Sequence, residues 1–222
     1  MRVTIDVLIP SYGRAARLAS VVENVRGASA HVDTVTIIAE ADDKATIAAV
    51  KALGPTARLI LNDRERTYAG AINCAVDQVA AEWLFTGSDD LRFFAGWDVQ
   101  ALRLARLTGA KVVGTNDLWN ASVLAGQHST HSLVELAYIR TMGATADAIP
   151  GKCLHEYHHN FVDPELVQVA MHRDVYAHCH TALVEHMHPL AGKGDMDATY
   201  EHGASRYSED AAVFAERMAA LR

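Results

Sequence analysis

Two acidic residues that follow an apolar run carry the strongest chemical signal in this sequence. Residues 82–91 read Glu-Trp-Leu-Phe-Thr-Gly-Ser-Asp-Asp-Leu, so Asp89 and Asp90 come directly after a run typical of a buried strand. Carboxylates at the carboxyl end of an α/β strand lie where such sheets bind ligands, and their hard oxygens suit a Mg²⁺ or Mn²⁺ ion that holds a diphosphate. The structural alternative is that Ser88 or Asp89 caps a helix suggested over residues 93–107. These residues alone support both interpretations.

A second set of residues points to a different chemistry, that of a zinc-dependent hydrolase. His155, Glu156 and His159 satisfy the pattern His-Glu-x-x-His, in which two histidines one helical turn apart bind zinc and the glutamate acts as a base. A nearby glycine and proline confine any helix there to a short length. Eight of the twelve histidines lie within residues 155–188, which makes an accidental match easier. The zinc hydrolase is kept as the alternative function.

The residues around the acidic pair predict an α/β fold. A β-branched run over Val3–Ile9 is followed by apolar residues at helical spacing as far as Val25. The same alternation recurs as strand and helix over Thr34–Ala39 and Lys44–Leu53, Ala57–Leu61 and Tyr68–Ala80, and Trp83–Thr86 and Phe94–Leu107, with a fifth strand at Lys111–Gly114. Strands that alternate with helices predict βαβ units and a mostly parallel sheet flanked by helices.

The second half of the chain, residues 121–222, is irregular and rich in histidine and turn-forming residues. We expect this half to carry specificity. Residues 208–222 have the pattern of an amphipathic closing helix, with Glu209 and Asp210 favourably placed in its first turn.

Composition limits the kinds of protein that fit. The chain has 222 residues, of which 50% are hydrophobic, so a single globular domain over residues 1–222 is expected. A formal charge of −7 argues against nucleic acid as a partner. The three cysteines form no Cys-x-x-Cys pair, which suits free thiols in a reducing compartment. No apolar run approaches the roughly 20 residues of a membrane span, and Asp6 interrupts the start where a signal peptide needs an apolar core. We therefore expect a cytoplasmic protein without a membrane span.

Four motifs occur in a consistent order along the first 120 residues. The first strand ends in Val-Leu-Ile-Pro-Ser-Tyr-Gly-Arg at residues 7–14, an acidic segment follows at residues 40–43, and Gly-Ala-x-Asn and Gly-Ser-Asp-Asp follow at residues 70–73 and 87–90. The first loop lacks the glycine pattern of a dinucleotide site and that of a P-loop. The ordered set resembles the GT-A glycosyltransferases, specifically the inverting family 2 type. The usual Asp-Ala-Asp-Asp of that family has Gly87 in its first place here.

This resemblance implies a site for a nucleotide sugar, with a UDP-linked donor as the usual choice of the family. The implied donor-binding residues are Pro10, Ser11, Tyr12, Arg14, Glu40, Gly70, Asn73, Ser88, Asp89 and Lys193. The implied cofactor is Mn²⁺ or Mg²⁺, held by Asp90 or its neighbour Asp89 and completed by a late histidine, either His186 or His188. The structural alternative for the two histidines is that they cap a helix beside a proline.

The family also places a carboxylate at the start of a helix in the second half, where it deprotonates the acceptor hydroxyl. Asp163 fits this role, with Glu165 as the alternative, although Asp before Pro is also a favourable helix cap. Residues that could line the acceptor pocket are Trp119, His128, His131, His158 and His159. The implied acceptor is a glycan, a protein or another molecule with a hydroxyl group. A non-catalytic nucleotide-sugar binder is a further alternative.

Overall fold

The computed structural model describes residues 3–221, except for the side chains of Thr199 and His202; Met1, Arg2 and Arg222 lie outside the described residues. The strands are β1 (Ile5–Ser11), β2 (Val32–Ala39), β3 (Arg58–Leu61), β4 (Trp83–Thr86), β5 (Leu91–Phe93), β6 (Val112–Asn116), β7 (Ser132–Glu135) and β8 (Tyr176–His186). The helices are α1 (Leu18–Ala28), α2 (Lys44–Ala52), α3 (Tyr68–Val76), α4 (Trp97–Thr108), α5 (Ala121–Leu124), α6 (Leu136–Met142), α7 (Val162–His172), α8 (Ala198–Ser205) and α9 (Tyr207–Ala219).

The strands form one sheet in the order β3-β2-β1-β4-β7-β6-β8-β5. Strands β3, β2, β1 and β4 pair in parallel, and β6 and β8 run in the same direction as these four. Only β7 and β5 oppose them among the described strands, in antiparallel pairs with β4, β6 and β8. The predicted α/β class with a mostly parallel sheet is therefore confirmed, and the carboxyl ends of β1, β2 and β4 meet at one edge.

The sheet is covered by helices on both faces because its central strands are apolar on both faces. Along β1, Val7 and Ile9 point into the cluster that packs under α1 and α4, whereas Leu8 points into the cluster that packs under α3, α6 and α7. All three are fully buried. Burial on both faces holds the strand in place, and so positions the polar residues that follow its carboxyl end.

The helix predicted to begin at Phe93 or Phe94 begins later, at Trp97. Leu91–Phe93 instead forms strand β5, with Leu91 and Phe93 buried and Arg92 exposed, a period-two pattern that the helical assignment overlooked. Gly96 precedes the helix with a φ of +78°, which glycine adopts without strain. Ser88 and Asp89 therefore do not cap this helix, and their side chains are available for other contacts.

The closing helix predicted from Ser208 corresponds to α9, and its predicted last residue, Arg222, lies outside the described residues. Asp210 lies in its first turn, as predicted, and is 1% exposed. Its carboxylate accepts hydrogen bonds from the backbone N–H groups of residues 158–160 at 2.7–3.0 Å. This helix thus holds the segment that precedes α7. No helix in the described part of the chain is long and apolar enough to cross a lipid bilayer.

A buried acid inside β1 makes the stability of the fold dependent on pH. Asp6 is 2% exposed and accepts a hydrogen bond from Thr36 Oγ1 at 2.8 Å. Burial raises the pKa of Asp6 to about 6, although the hydrogen bond from Thr36 opposes this shift. The folded state therefore holds this proton more tightly than the unfolded chain, and the contribution of Asp6 to stability falls as the pH rises from about 4 to about 6.

We expect Asp6→Asn to stabilise the protein at neutral pH, because asparagine keeps an acceptor for Thr36 without a buried charge. At pH 7.5 the free energy of unfolding, measured by urea titration, should rise by about 1–3 kcal/mol relative to wild type. The gain should shrink at pH 4.5, where the native Asp6 is protonated. An equal gain at both pH values would contradict the assigned titration.

Candidate active site

A cavity of about 630 Å³ opens at the edge where β1, β2 and β4 end. It brings together most of the residues singled out from the sequence: Pro10, Ser11, Tyr12, Arg14, Glu40, Ser88, Asp89, Asp90, His131, His158, His159, Asp163, His186 and His188. Gly70, Asn73, Trp119, His128, Glu165 and Lys193 are not among its lining residues. The cavity therefore joins the end of the parallel sheet to the start of α7 and the end of β8.

Asp89 fastens the loop after β4 to the loop after β1. Its carboxylate, 5% exposed, accepts hydrogen bonds from Ser11 Oγ at 2.6 Å and from Arg14 Nη1 at 2.9 Å. In the same loop Gly13 has a φ of +69°, and its N–H donates to Asp43 Oδ2 at 2.7 Å. Both oxygens of Asp89 are thus engaged in fixing the β1 loop and the guanidinium that it presents to the cavity.

Asp90 faces the end of β8. In the antiparallel pair of β5 and β8, Leu91 lies opposite His186, and this register brings His186 Nε2 to 3.3 Å from Asp90 Oδ2. The hydroxyl groups of Ser88 and Tyr200 also donate to this carboxylate. Burial opposes ionisation, but the hydrogen bonds and the adjacent imidazole hold the pKa of Asp90 well below its usual range. Asp90 is therefore a buried, ionised carboxylate.

The donor atoms of Asp90 and His186 fit a divalent cation. Their oxygen and nitrogen lie 3.3 Å apart, and adjacent ligands around an octahedral ion with bonds of about 2.1 Å lie about 3 Å apart. Among the side chains that the structure describes, no three His, Cys, Asp or Glu residues converge as a metal site. A cation here would take its other ligands from phosphate oxygens and water, as Mg²⁺ commonly does beside one or two carboxylates.

His131 presents an unprotonated nitrogen near this pair. Its Nδ1 lies 2.6 Å from the carbonyl oxygen of Thr86, which can only accept, so the proton lies on Nδ1. Burial first, and then the charge of His186, lower the pKa of His131 to about 4, so the ring is neutral at pH 7. Within the described residues its buried Nε2 has no hydrogen-bond partner. This lone pair can accept a hydrogen bond from a bound molecule.

Asp163 lies in the first turn of α7 and does not act as the helix cap that its position before Pro164 suggests. The capping position belongs to Phe161, whose φ of +64° turns the chain into the helix without a side-chain cap. The Asp163 side chain is 35% exposed, lines the cavity and lies 2.9 Å from His128 Nε2. Burial would lower the pKa of His128, but the hydrogen bond and the charge of Asp163 raise it. A carboxylate oriented by a histidine is suited to act as a base.

Glu165, the alternative base, lies on the opposite side of the same helix turn. It is 1% exposed and accepts hydrogen bonds from Tyr157 Oη at 2.5 Å, from the Ala146 N–H at 2.9 Å and from Arg217 at 2.7 and 2.8 Å. These contacts anchor α7 to α9. Of the two carboxylates, Asp163 is the one that reaches the cavity.

Three residues implied to bind the donor have structural contacts instead. Asn73 is 1% exposed and pairs with the backbone of Cys153 and Leu154 at 2.8–3.0 Å. A Cβ at Gly70 would lie 2.2 Å from the carbonyl oxygen of Glu65, so glycine is needed for close backbone packing. Lys193 Nζ pairs with a Glu185 oxygen at 2.8 Å. None of the three is among the residues that line the cavity.

The geometry that a zinc hydrolase needs is absent from the described residues. His155, Glu156 and His159 lie in irregular chain between α6 and α7, so the two histidines are not on one helical turn. Glu156 pairs with Lys152 Nζ at 3.3 Å. The sequence match to His-Glu-x-x-His is therefore accidental, and this alternative is wrong.

His188 uses one ring nitrogen for a backbone contact. Its Nδ1 accepts the Leu190 N–H at 3.1 Å, and its ring stacks on Trp119 with 5.6 Å between ring centroids. It therefore caps a short turn at residues 189–191, and His186 is the histidine that faces the acid. Tyr200, which reaches Asp90 from 110 residues away, could not be identified from any sequence motif.

The sequence of this chain matches a family model over a region that contains most of these residues. Residues 6–162 match the model described as Glycosyl transferase family 2. The chain belongs to glycosyl transferase family 2. It is thus a glycosyltransferase that uses a nucleotide sugar, which replaces both the hydrolase and the non-catalytic binder. No curated protein is detectably similar to it in sequence.

Solved structures share the fold of this family 2 enzyme. Glucosyl-3-phosphoglycerate synthase from Mycobacterium tuberculosis in complex with Mn²⁺, UDP-glucose and glycerol 3-phosphate superposes with a TM-score of 0.69 at 15% identity, covering 96% of this chain and 79% of that chain. The same synthase with Mn²⁺, UDP and glucosyl-3-phosphoglycerate gives 0.68 at 14% identity with the same coverage. This similarity shows the fold, and it confirms the GT-A architecture expected from the sequence.

Proposed function

We propose that this family 2 enzyme transfers a sugar from a UDP-sugar to an acceptor hydroxyl with inversion at the anomeric carbon. Asp163 takes the proton of the acceptor hydroxyl while the oxygen of that hydroxyl bonds to the anomeric carbon. In the same step the bond from the anomeric carbon to the diphosphate oxygen breaks. The observation that carries the proposal is that one cavity gathers the Asp90–His186 pair, Arg14 and Asp163. A single displacement needs a base and charge-stabilising groups around one sugar.

The donor end of the cavity suits a nucleoside diphosphate. Arg14 and Arg66 supply positive charge, and the Arg66 guanidinium lies 4.7 Å from the centroid of the Tyr12 ring, which is 47% exposed. This flat, partly exposed surface suits a base, while Glu40 supplies a carboxylate for base or ribose donors. We propose uridine because the synthase of the same fold was crystallised with UDP or UDP-glucose.

The proposed cofactor is Mn²⁺ or Mg²⁺, held by Asp90 and His186. When bound, such an ion neutralises charge on the departing diphosphate. Complexes of the similar synthase contain either ion. The contribution of this chain is an ionised carboxylate fixed by Ser88 and an imidazole fixed by the pairing of β8 with β5.

We assign residues 1–120 to the donor and residues 121–222 to the acceptor and to catalysis, within one domain. The two halves meet at the proposed metal pair, because Asp90 comes from the first and His186 from the second. The similar synthase has been crystallised in complex with phosphoglyceric acid and with glycerol 3-phosphate. For this chain we propose an acceptor with a free hydroxyl, such as a glycan or a glycosylated protein.

Nucleotide binding tests this proposal directly. Thermal unfolding should be followed with UDP, GDP, dTDP and CDP, each with and without Mn²⁺, because a ligand that binds the native state raises Tm. We expect UDP with Mn²⁺ to raise Tm by roughly 5–10 °C at a hundredfold excess over Kd. UDP alone should give a much smaller shift.

The variant Asp90→Asn should lose the part of the UDP shift that depends on Mn²⁺, because an amide is a much weaker cation ligand than a carboxylate. The matched control is Asp77→Asn, which removes an acid with a side chain 74% exposed and outside the cavity. A UDP-dependent rise in Tm that needs no metal, or a metal-dependent rise that persists in Asp90→Asn, would exclude Asp90 and His186 as the metal-binding pair. A larger shift with another nucleotide would replace the proposed uridine donor.

A further inference from the structure

A second cavity lies next to the proposed base, between α5 and α7. Its volume is about 320 Å³, near the lower end of the roughly 300–1,000 Å³ found for small-molecule sites. Its polar wall is formed by Asn120, Ser122, Gln127 and Gln168, and its apolar wall by Pro164 and Val167.

The hydrogen bond between His128 and Asp163 forms the boundary between the two cavities. His128 lines the second cavity, Asp163 lines the first, and His128 Nε2 lies 2.9 Å from Asp163 Oδ2. Pro164, the next residue of α7, belongs to the wall of the second cavity. A molecule bound in the second cavity is separated from the carboxylate of Asp163, the proposed base, by the side chain of His128.

The second cavity is lined by uncharged polar side chains. Asn120 Oδ1 accepts the Ser122 N–H at 3.0 Å, so its amide NH₂ is the group left to donate. Gln127 and Gln168 are exposed on its rim and offer a donor and an acceptor each. No Lys or Arg is among the described residues that line it, and the imidazole of His128 is engaged with Asp163.

We infer that this cavity binds the acceptor, and that the acceptor is a neutral sugar unit without phosphate or carboxylate. Amides match the hydroxyl groups of such a unit, and Pro164 and Val167 match its C–H face. An anionic acceptor would enter a wall without Lys or Arg among its described residues, where the imidazole of His128 is already paired with Asp163. The inference rests on the proposed function, because it takes Asp163 as the group to which the acceptor hydroxyl extends.

Saturation-transfer NMR on the full chain tests the inference without a donor. The probes are methyl α-glycosides of glucose, galactose and mannose, with glucose 6-phosphate as the charged counterpart. We expect at least one glycoside to bind and glucose 6-phosphate to bind more weakly. Gln168→Leu and Gln127→Leu should each weaken glycoside binding by about two- to tenfold, the effect of one lost hydrogen bond.

Two further variants sharpen this test. Gln168→Lys should raise the affinity for glucose 6-phosphate relative to the glycosides, because it places a cation in the wall. Gln100→Leu, on α4 and outside both cavities, is the matched control and should change nothing. The UDP and Mn²⁺ thermal shift should be unchanged in all of these variants.

The outcomes separate the two proposals. If no glycoside binds, if glucose 6-phosphate binds as well as the glycosides, or if the glutamine variants bind like wild type, the neutral acceptor is overturned even where UDP binds. If the glycosides bind as expected while no nucleotide shifts Tm, the second cavity stands as a sugar site and the proposed donor fails.

Discussion

Replacement of Asp163 by asparagine should lower kcat by about 10²–10⁴-fold, the usual contribution of a general base. Asparagine keeps the size and polarity of the side chain but cannot take the proton of an acceptor hydroxyl. Asp163 is suited to this role because it lines the cavity and is oriented by His128 at 2.9 Å. The rate is measured as UDP release from the UDP-sugar, with methyl glycosides or water as acceptor.

The loss must lie in the chemical step. The Tm shift of Asp163→Asn with UDP and Mn²⁺ should equal that of wild type, since the donor contacts are made by other residues. The matched control is Asp77→Asn, which removes an exposed acid outside the cavity and should keep kcat close to wild type. If kcat of Asp163→Asn lay within about threefold of wild type, Asp163 would be excluded as the base, because that loss is far smaller than a general base contributes.

Replacement of Arg217 by methionine should reduce the free energy of unfolding by about 3–5 kcal/mol, because it leaves a buried charge without its partner. Glu165 is 1% exposed, and two nitrogens of Arg217 lie 2.7 and 2.8 Å from its oxygens. The Glu165 carboxylate keeps its hydrogen bonds from Tyr157 and the Ala146 N–H in this variant. We therefore expect a loss of stability at the lower end of this range. Urea unfolding at pH 7 measures it.

A nearby surface pair provides the comparison. Arg206 and Glu209 also pair, at 3.0 Å, but with side chains 42% and 55% exposed, so Arg206→Met should cost less than about 1 kcal/mol. The double variant Glu165→Gln with Arg217→Met should recover part of the loss, because no full charge is then left buried. Equal losses for Arg217→Met and Arg206→Met would show that the buried pair does not anchor α9.

The strands of the first half other than β5, and the acidic pair, could be predicted because the signal lies in consecutive residues, whereas β7 and β8 in the second half were not predicted. Strand β4 is a continuous apolar run that stops at a polar turn, and the start and end of the strand were predicted correctly. Strand β5 was missed because three residues between a turn and a helix are too short for their period-two pattern to stand out. A short strand of this kind is fixed by its partner β8, which lies about 90 residues later in the chain.

The roles of neighbouring acids could not be separated by sequence. Asp163 and Glu165 are two positions apart on a helix, so they project about 200° apart around its axis, one toward the cavity and one toward the core. The sequence places both on one turn without indicating which side faces the substrate. The contacts of Asn73 could not be predicted for a related reason, since its partners Cys153 and Leu154 come from a segment about 80 residues away.

Helix α9 holds α7, which carries the proposed base, in place. The carboxylate of Asp210 accepts hydrogen bonds from the backbone just before α7. Arg217 donates to Glu165 within α7, and neither Asp210 nor Arg217 lines the cavity. The position of Asp163 is thus supported by a helix whose described residues line neither cavity. Laboratory selection for new acceptors should therefore find useful substitutions along α9, where small changes in tilt move the base without altering the donor site.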